Sequence, residues 1–432
     1  MTTIRPACIW VLCLLGLAPA VIHAQDYEEP PVLEAAAFAP PDVPLKGAQY
    51  AVDAEVPTDG LLATYTIRSD FGPIEARGPG MLKRRVAGVE AVARLREMKT
   101  TDVFIKSLSQ SGKALGDAAI NVVTNTKEVA KAVPAGVGRF LERTVRSAKT
   151  AVQKVGDVGE NKEAGAPRGA EASTNDQNVA LAAGAAAGST ALGILGYDEK
   201  RRGLAKELQV DPYTTNPVLK DALDDVAWAA FAGGLGVDVL AMKVPGGRLV
   251  QTTSTLSDWI YTKPPGDLKV WMEKSLKNIG IDQETIDLFL RQKYWTLTMQ
   301  TALVMALEKL EGVEGRVEVL DTAVTADNED QTRFLAVGMA LLAREGESTP
   351  FAAIVDGKPI GMTTDGRVVA TMPLDYVCWT ERVAKFAHRE DLVPNRPRIL
   401  LTGRFSPRAR SEMESAGWEI REDVPIDGIF DL

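Results

Sequence analysis

Nucleophilic and acid–base chemistry draws first on cysteine and histidine, and this 432-residue chain has three cysteines and two histidines. Cys8, Cys13 and His23 fall within residues 1–24. There Arg5 precedes a continuous apolar run, and Ile22-His23-Ala24 stands before Gln25. That layout predicts a cleaved secretory signal peptide, leaving Cys378 and His388 to the mature chain. A Ser-His-Asp or Cys-His arrangement needs an imidazole held against its nucleophile. The pattern predicts one helix over 374–389, which would put the two side chains about 15 Å apart along the axis. Cys378 therefore reads as a buried, unpaired core residue and His388 as a group at a helix end.

Other chemistries find little support. Structural zinc wants four Cys or His ligands. The acidic run from Asp321 to Asp330 lacks the spacing of a calcium loop and reads as an acid-rich helix start. Asp224 and Asp225 are adjacent on a predicted helix and do not face each other. No glycine-rich phosphate loop is present, since Gly233-Gly234-Leu235-Gly236 lacks the Lys-Ser ending and Gly136-Val137-Gly138 is only a fragment of a dinucleotide fingerprint. Catalytic residues, cofactor ligands and metal ligands are thus all read as none. The remaining enzymatic alternative is a carboxylate-dependent hydrolase in the C-terminal half, because two acids can converge from distant positions.

Charge is the sharper signal. Without Arg5 the chain stands at −10, and residues 82–154 hold 15 Lys+Arg against 6 Asp+Glu, net +9, leaving −19 elsewhere. Over 102–155 a Val/Ala/Phe stripe recurs at helical spacing, with Lys127, Lys131, Arg139, Arg143, Arg146 and Lys149 outside it. A basic amphipathic helix favours an anionic bilayer or a protein partner, and the same stripe also suits a helical hairpin turned at Pro134 that docks on the acidic remainder of the chain. Net charge and compartment speak against nucleic acid. These features together predict an exported, periplasmic or extracellular, non-enzymatic and envelope-associated protein. Its candidate interaction surface is those six cations.

The elements that must position these groups read as α+β and mainly helical. Residues 25–45, with five prolines, read as an extended linker. A small β-meander is expected at 50–56, 61–68 and 74–77, then a helix at 81–98. The basic segment follows, closing a first unit at 46–155, and 156–178 reads as a flexible linker. In 177–197, Ala180, Gly184 and Gly188 show small-xxx-small spacing on a core helix. The C-terminal part, 179–432, is expected to be helical, with Asn216-Pro217 as a start signal. An irregular stretch is expected between Pro245 and Gly266, and a strand at 316–324. Strands at 351–355, 359–363 and 368–372 joined by Asp356-Gly357 and Asp365-Gly366 make a second meander. Residues 398–422 complete a βαβ-like unit.

Overall fold

The computed structural model describes residues 27–101, 104–105, 196–232 and 254–426, and the fold is α+β with several small sheets. The signal peptide, nearly all of the basic segment, the 156–178 linker and most of the Ala/Gly stretch lie outside the described residues.

The proline-rich N-terminal segment is not an extended linker. It forms β1 (Val32–Glu34), antiparallel to a strand further on, and the single-turn α1 (Ala35–Phe38), with Leu33, Ala35 and Val43 buried. Prolines flank β1 but leave its backbone donors free, so pairing is available. β2 (Tyr50–Val52), β3 (Glu55–Pro57), β4 (Thr64–Ser69) and β5 (Gly72–Arg77) follow. β3 takes β1, and β2–β4–β5 is the expected antiparallel meander, turned by the Asp59 carboxylate accepting from Leu61 and Leu62 N–H.

α2 (Pro79–Lys99) starts at Gly78, whose φ of +89° turns the chain out of β5. Its first half buries Met81, Leu82, Val86 and Val89 on the meander. Its second half buries Val92, Leu95 and Met98 against α3 (residues 196–208) and α4 (Pro217–Ala232). A helix covered on different sides along its length shows no single apolar stripe. At α4 the Asn216 side chain accepts from Val218 and Leu219 N–H ahead of Pro217, as its start signal requires.

The stretch expected to be irregular contains α5 (Thr255–Thr262), capped by Ser254. α6 (Pro265–Ile279), α7 (Gln283–Arg291) and α8 (Leu297–Lys309) follow it. The strand expected at 316–324 is instead helix α9 (Arg316–Thr325). Its β-branched residues suggested alternation, yet Val319, Leu320 and Ala323 are buried at helical spacing and Val317 is exposed. Sheet-like pairing stops at Glu314, which bonds both sides of Ala353, and Gly315 at φ +82° redirects the chain. α10 (Glu329–Gly346) is capped by Asn328, with Glu329 and Asp330 in its first turn.

β6 (Phe351–Ile354), β7 (Ile360–Thr363) and β8 (Val368–Met372) form the second meander. Asp356 and Gly357 both have positive φ, as a type I′ turn demands, whereas at 365–366 only Gly366 does. Then the expected helix over 374–389 is only half present. β9 (Tyr376–Val377) comes first, and α11 (Glu381–Ala387) begins after Thr380. The amide N–H groups of Asp375 and Cys378 are taken by Leu61 and Gly60 carbonyls, and Tyr376 and Val377 pair with Arg404 and Phe405 as strands in place of the first helical turn. β10 (Arg398–Leu401), β11 (Arg404–Phe405), α12 (Pro407–Ser415) and β12 (Glu419–Arg421) finish the chain, with Ser406 capping α12 and β9 parallel to β11.

The main sheet has the order β12–β10–β8–β7–β6, parallel from β12 to β8 and antiparallel from there on. Every residue of β8 is buried, because helices cover both faces. Val369 and Leu400 face α8 and α10, while Val368, Ala370, Ile399 and Leu401 face α11 and α12. The meander at the N-terminus is stitched to the far edge of this assembly. Glu28 N–H donates to the Trp379 carbonyl, its carboxylate accepts from Trp379 N–H and Ser406 Oγ, and Arg333 donates to the Arg77 carbonyl.

Gly403 tests the approach of the loops that follow β8 and β10. A Cβ there would stand 1.9 Å from the Asp375 carbonyl oxygen, whereas Gly312, at φ +80°, has open space around it. Gly403→Ala is expected to cost about 3 kcal/mol or more in urea unfolding. Gly312→Ala should cost about 1 kcal/mol, from its left-handed backbone alone. Equal costs would show that the two loops are not in contact.

Candidate functional site

The carboxyl ends of the three parallel strands open onto a cleft of about 1110 Å³, lined there by Pro373–Asp375, Thr402–Arg404 and Asp423–Ile426. Residues beyond the carboxyl ends of parallel strands are where α/β sheets most often place ligands. The opposite wall is α2 with Gly78, Arg84 and Arg94, and α10 contributes Asp330, Arg333 and Phe334. The end of α3, together with Asp258 and Tyr261 of α5, forms the rim.

Asp375 forms the floor. One carboxylate oxygen, Oδ2, accepts from Ala63 N–H at 2.9 Å. Only 9% of the residue is exposed, and burial raises its carboxyl from 3.8 to about 7. The Ala63 hydrogen bond and the Arg333 charge pull the other way, and Asp59 and Asp330 push it further up. Around it the charges are committed in pairs. Arg77 reaches Asp59 at 2.6 Å and Asp330 at 2.5 Å, and Arg333 reaches Asp330 at 2.9 Å. On the strand-end side Arg404 pairs with Asp423 at 3.1 Å.

A second polar cluster lies behind α2. Asp211 accepts from Tyr213 N–H and Thr298 Oγ1 at 2.8 Å each, and burial raises its carboxyl while Arg84 opposes the rise. Arg85 donates to Thr215 Oγ1, which donates in turn to Glu329. Burial lowers the guanidinium groups of both Arg84 and Arg85. This cluster ties α2, the 211–216 loop and the start of α10 together.

The six cations named in the sequence, Lys127, Lys131, Arg139, Arg143, Arg146 and Lys149, all lie outside the described residues. Cys378 is 1% exposed and unpaired, sits between β9 and α11 and not within a helix, and burial lifts its thiol to about 11. His388 closes α11, with Nδ1 2.9 Å from the Ala384 carbonyl. Sequence reasoning missed Asp375, since the expected helix hid its position at a strand end. The available signal was an acid three residues beyond the Val368–Met372 strand.

No protein-family model matches this chain, and neither a curated protein nor a solved structure does.

Asp375 holds its proton to higher pH in the folded than in the unfolded chain. Its contribution to stability is therefore complete below about pH 4 and is lost as pH rises through 7, the full loss being of the order of 4 kcal/mol. Asp375→Asn keeps an acceptor for Ala63 and removes the charge. Urea unfolding at several pH values should show the stability gap moving in the variant's favour between pH 4 and 7, then levelling above 8. A gap independent of pH would contradict the buried carboxylate.

Proposed function

We propose that this chain is an exported, non-enzymatic, envelope-associated protein that engages an anionic membrane surface or an envelope protein through its basic segment, residues 102–155. The observation that carries this reading is the net +9 of residues 82–154 beside −19 in the rest of the mature chain. Each cation of the segment adds about 1 kcal/mol near an anionic bilayer.

The second reading, a carboxylate-dependent hydrolase in the C-terminal half, is favoured by Asp375, an acid holding its proton near neutral pH in a cleft. It needs a partner carboxylate free to act, and the neighbouring Asp330 and Asp423 are held by arginines. That weighs toward binding over turnover.

Co-sedimentation of the mature chain with anionic vesicles tests the proposal. Binding is expected at low salt and is expected to be lost near about 0.5 M salt. Replacing Lys127, Lys131, Arg139, Arg143, Arg146 and Lys149 with Gln should weaken binding at least ~100-fold. Binding that survives the six substitutions would contradict the assignment. No binding at low salt would remove the membrane arm and leave an envelope protein as the partner.

A further inference from the structure

The floor of the cleft carries an odd charge. Asp330 and Asp375 line it with Arg77 and Arg333, and Asp59 adds a third carboxylate through Arg77; Arg77 is already bound to Asp59 and Asp330, and Arg333 to Asp330. A carboxylate offers about four lone-pair sites. Of the Asp375 oxygens, Oδ2 serves Ala63, while Oδ1 takes no hydrogen bond among the described residues. Gly78 lies against it without a side chain, since a Cβ would stand 3.2 and 3.4 Å from the two oxygens. Above the charge the lining turns apolar, with Phe38, Leu62, Phe334 and Leu374.

We propose that this floor is a subsite for the primary ammonium group of a small organic ligand, with Asp375 as counter-ion and the apolar wall taking the ligand's hydrocarbon stem. A nearly buried carboxylate without a cation is costly in its charged form. It resolves that cost by holding a proton or by meeting a positive charge, and an ammonium group supplies the charge together with three donors. The titratable and charged groups on the elements packed against it are Asp59 from the β3–β4 turn, Tyr65 on β4, Arg77 on β5, Asp330 and Arg333 on α10, and Arg404 of β11 with its partner Asp423. None of these offers a further free cation. Below about pH 7 ammonium binding therefore displaces the Asp375 proton, up to one released for each ligand bound, and at pH 8 it releases almost none. This subsite is independent of the basic segment, and the two are read by separate experiments.

The test is calorimetric titration of the mature chain with n-butylamine and 1,4-diaminobutane from pH 5 to 8, with n-butanol as the uncharged isostere. Affinity for both amines should rise about tenfold per pH unit below pH 6 and level off above about pH 7.5, while the alcohol binds at least tenfold more weakly at pH 8. Asp375→Asn should lose at least tenfold in amine affinity and all of the pH dependence. Glu381→Gln, exposed on α11 outside the cleft and paired with Lys385, should stay within about twofold of the native chain. Absence of amine binding at pH 8 would overturn the proposal. So would a pH-independent affinity in the native chain, or equal affinity for amine and alcohol, whatever the variants do.

Discussion

A single buried carboxylate joins the two ends of this protein. Asp375 stands where β8 gives out, and its Oδ2 accepts from Ala63, 312 residues earlier in the chain. Its own N–H goes to Leu61, and its carbonyl takes Arg404 N–H from the next parallel strand's loop. The N-terminal meander, the main sheet and the β9–β11 pair thus meet at one residue. Burying that carboxylate against its preference for water is offset by a backbone hydrogen bond and the nearby Arg333, and the proton it keeps near neutral pH measures how incomplete the offset is.

The rest of the cleft follows from that joint. Because the meander docks at the carboxyl ends of the parallel strands, α2 is carried across them as a wall and α10 presents its first turn from below. Arg77 of β5 and Arg333 of α10 are then drawn into shared ion pairs, and half-buried guanidinium–carboxylate networks of this kind fix geometry more than they add stability. Arg77 and Arg333 both close on Asp330, which leaves Asp375 as the acid without a counter-ion.

Elements with local chemistry were legible in the sequence. Asn216-Pro217 and Ser406-Pro407 cap α4 and α12, Asp356-Gly357 turns β6 into β7, and the βαβ unit at the C-terminus pairs in parallel as its pattern implies. Elements decided by distant partners were not. α9 resembles a strand until its buried face is known, and 374–380 resembles a helix until Gly60 and Leu61 claim its amides. Prolines suggested a linker at 25–45, yet β1 pairs there with β3, and Glu28 is fixed by Trp379 and Ser406. The cleft was invisible for the same reason, since its floor and walls converge from positions hundreds of residues apart. The basic segment, by contrast, was legible only as composition and spacing.

Native-state hydrogen exchange tests the central claim that the meander and the sheet are one cooperative unit joined through Asp375. The amides of Ala63, Asp375 and Cys378 should exchange at the same free energy as those of β8, which is that of global unfolding. Exchange of the Ala63 and Cys378 amides at a distinctly lower free energy than β8 would mean that the meander opens on its own. The joint would then not hold the fold together.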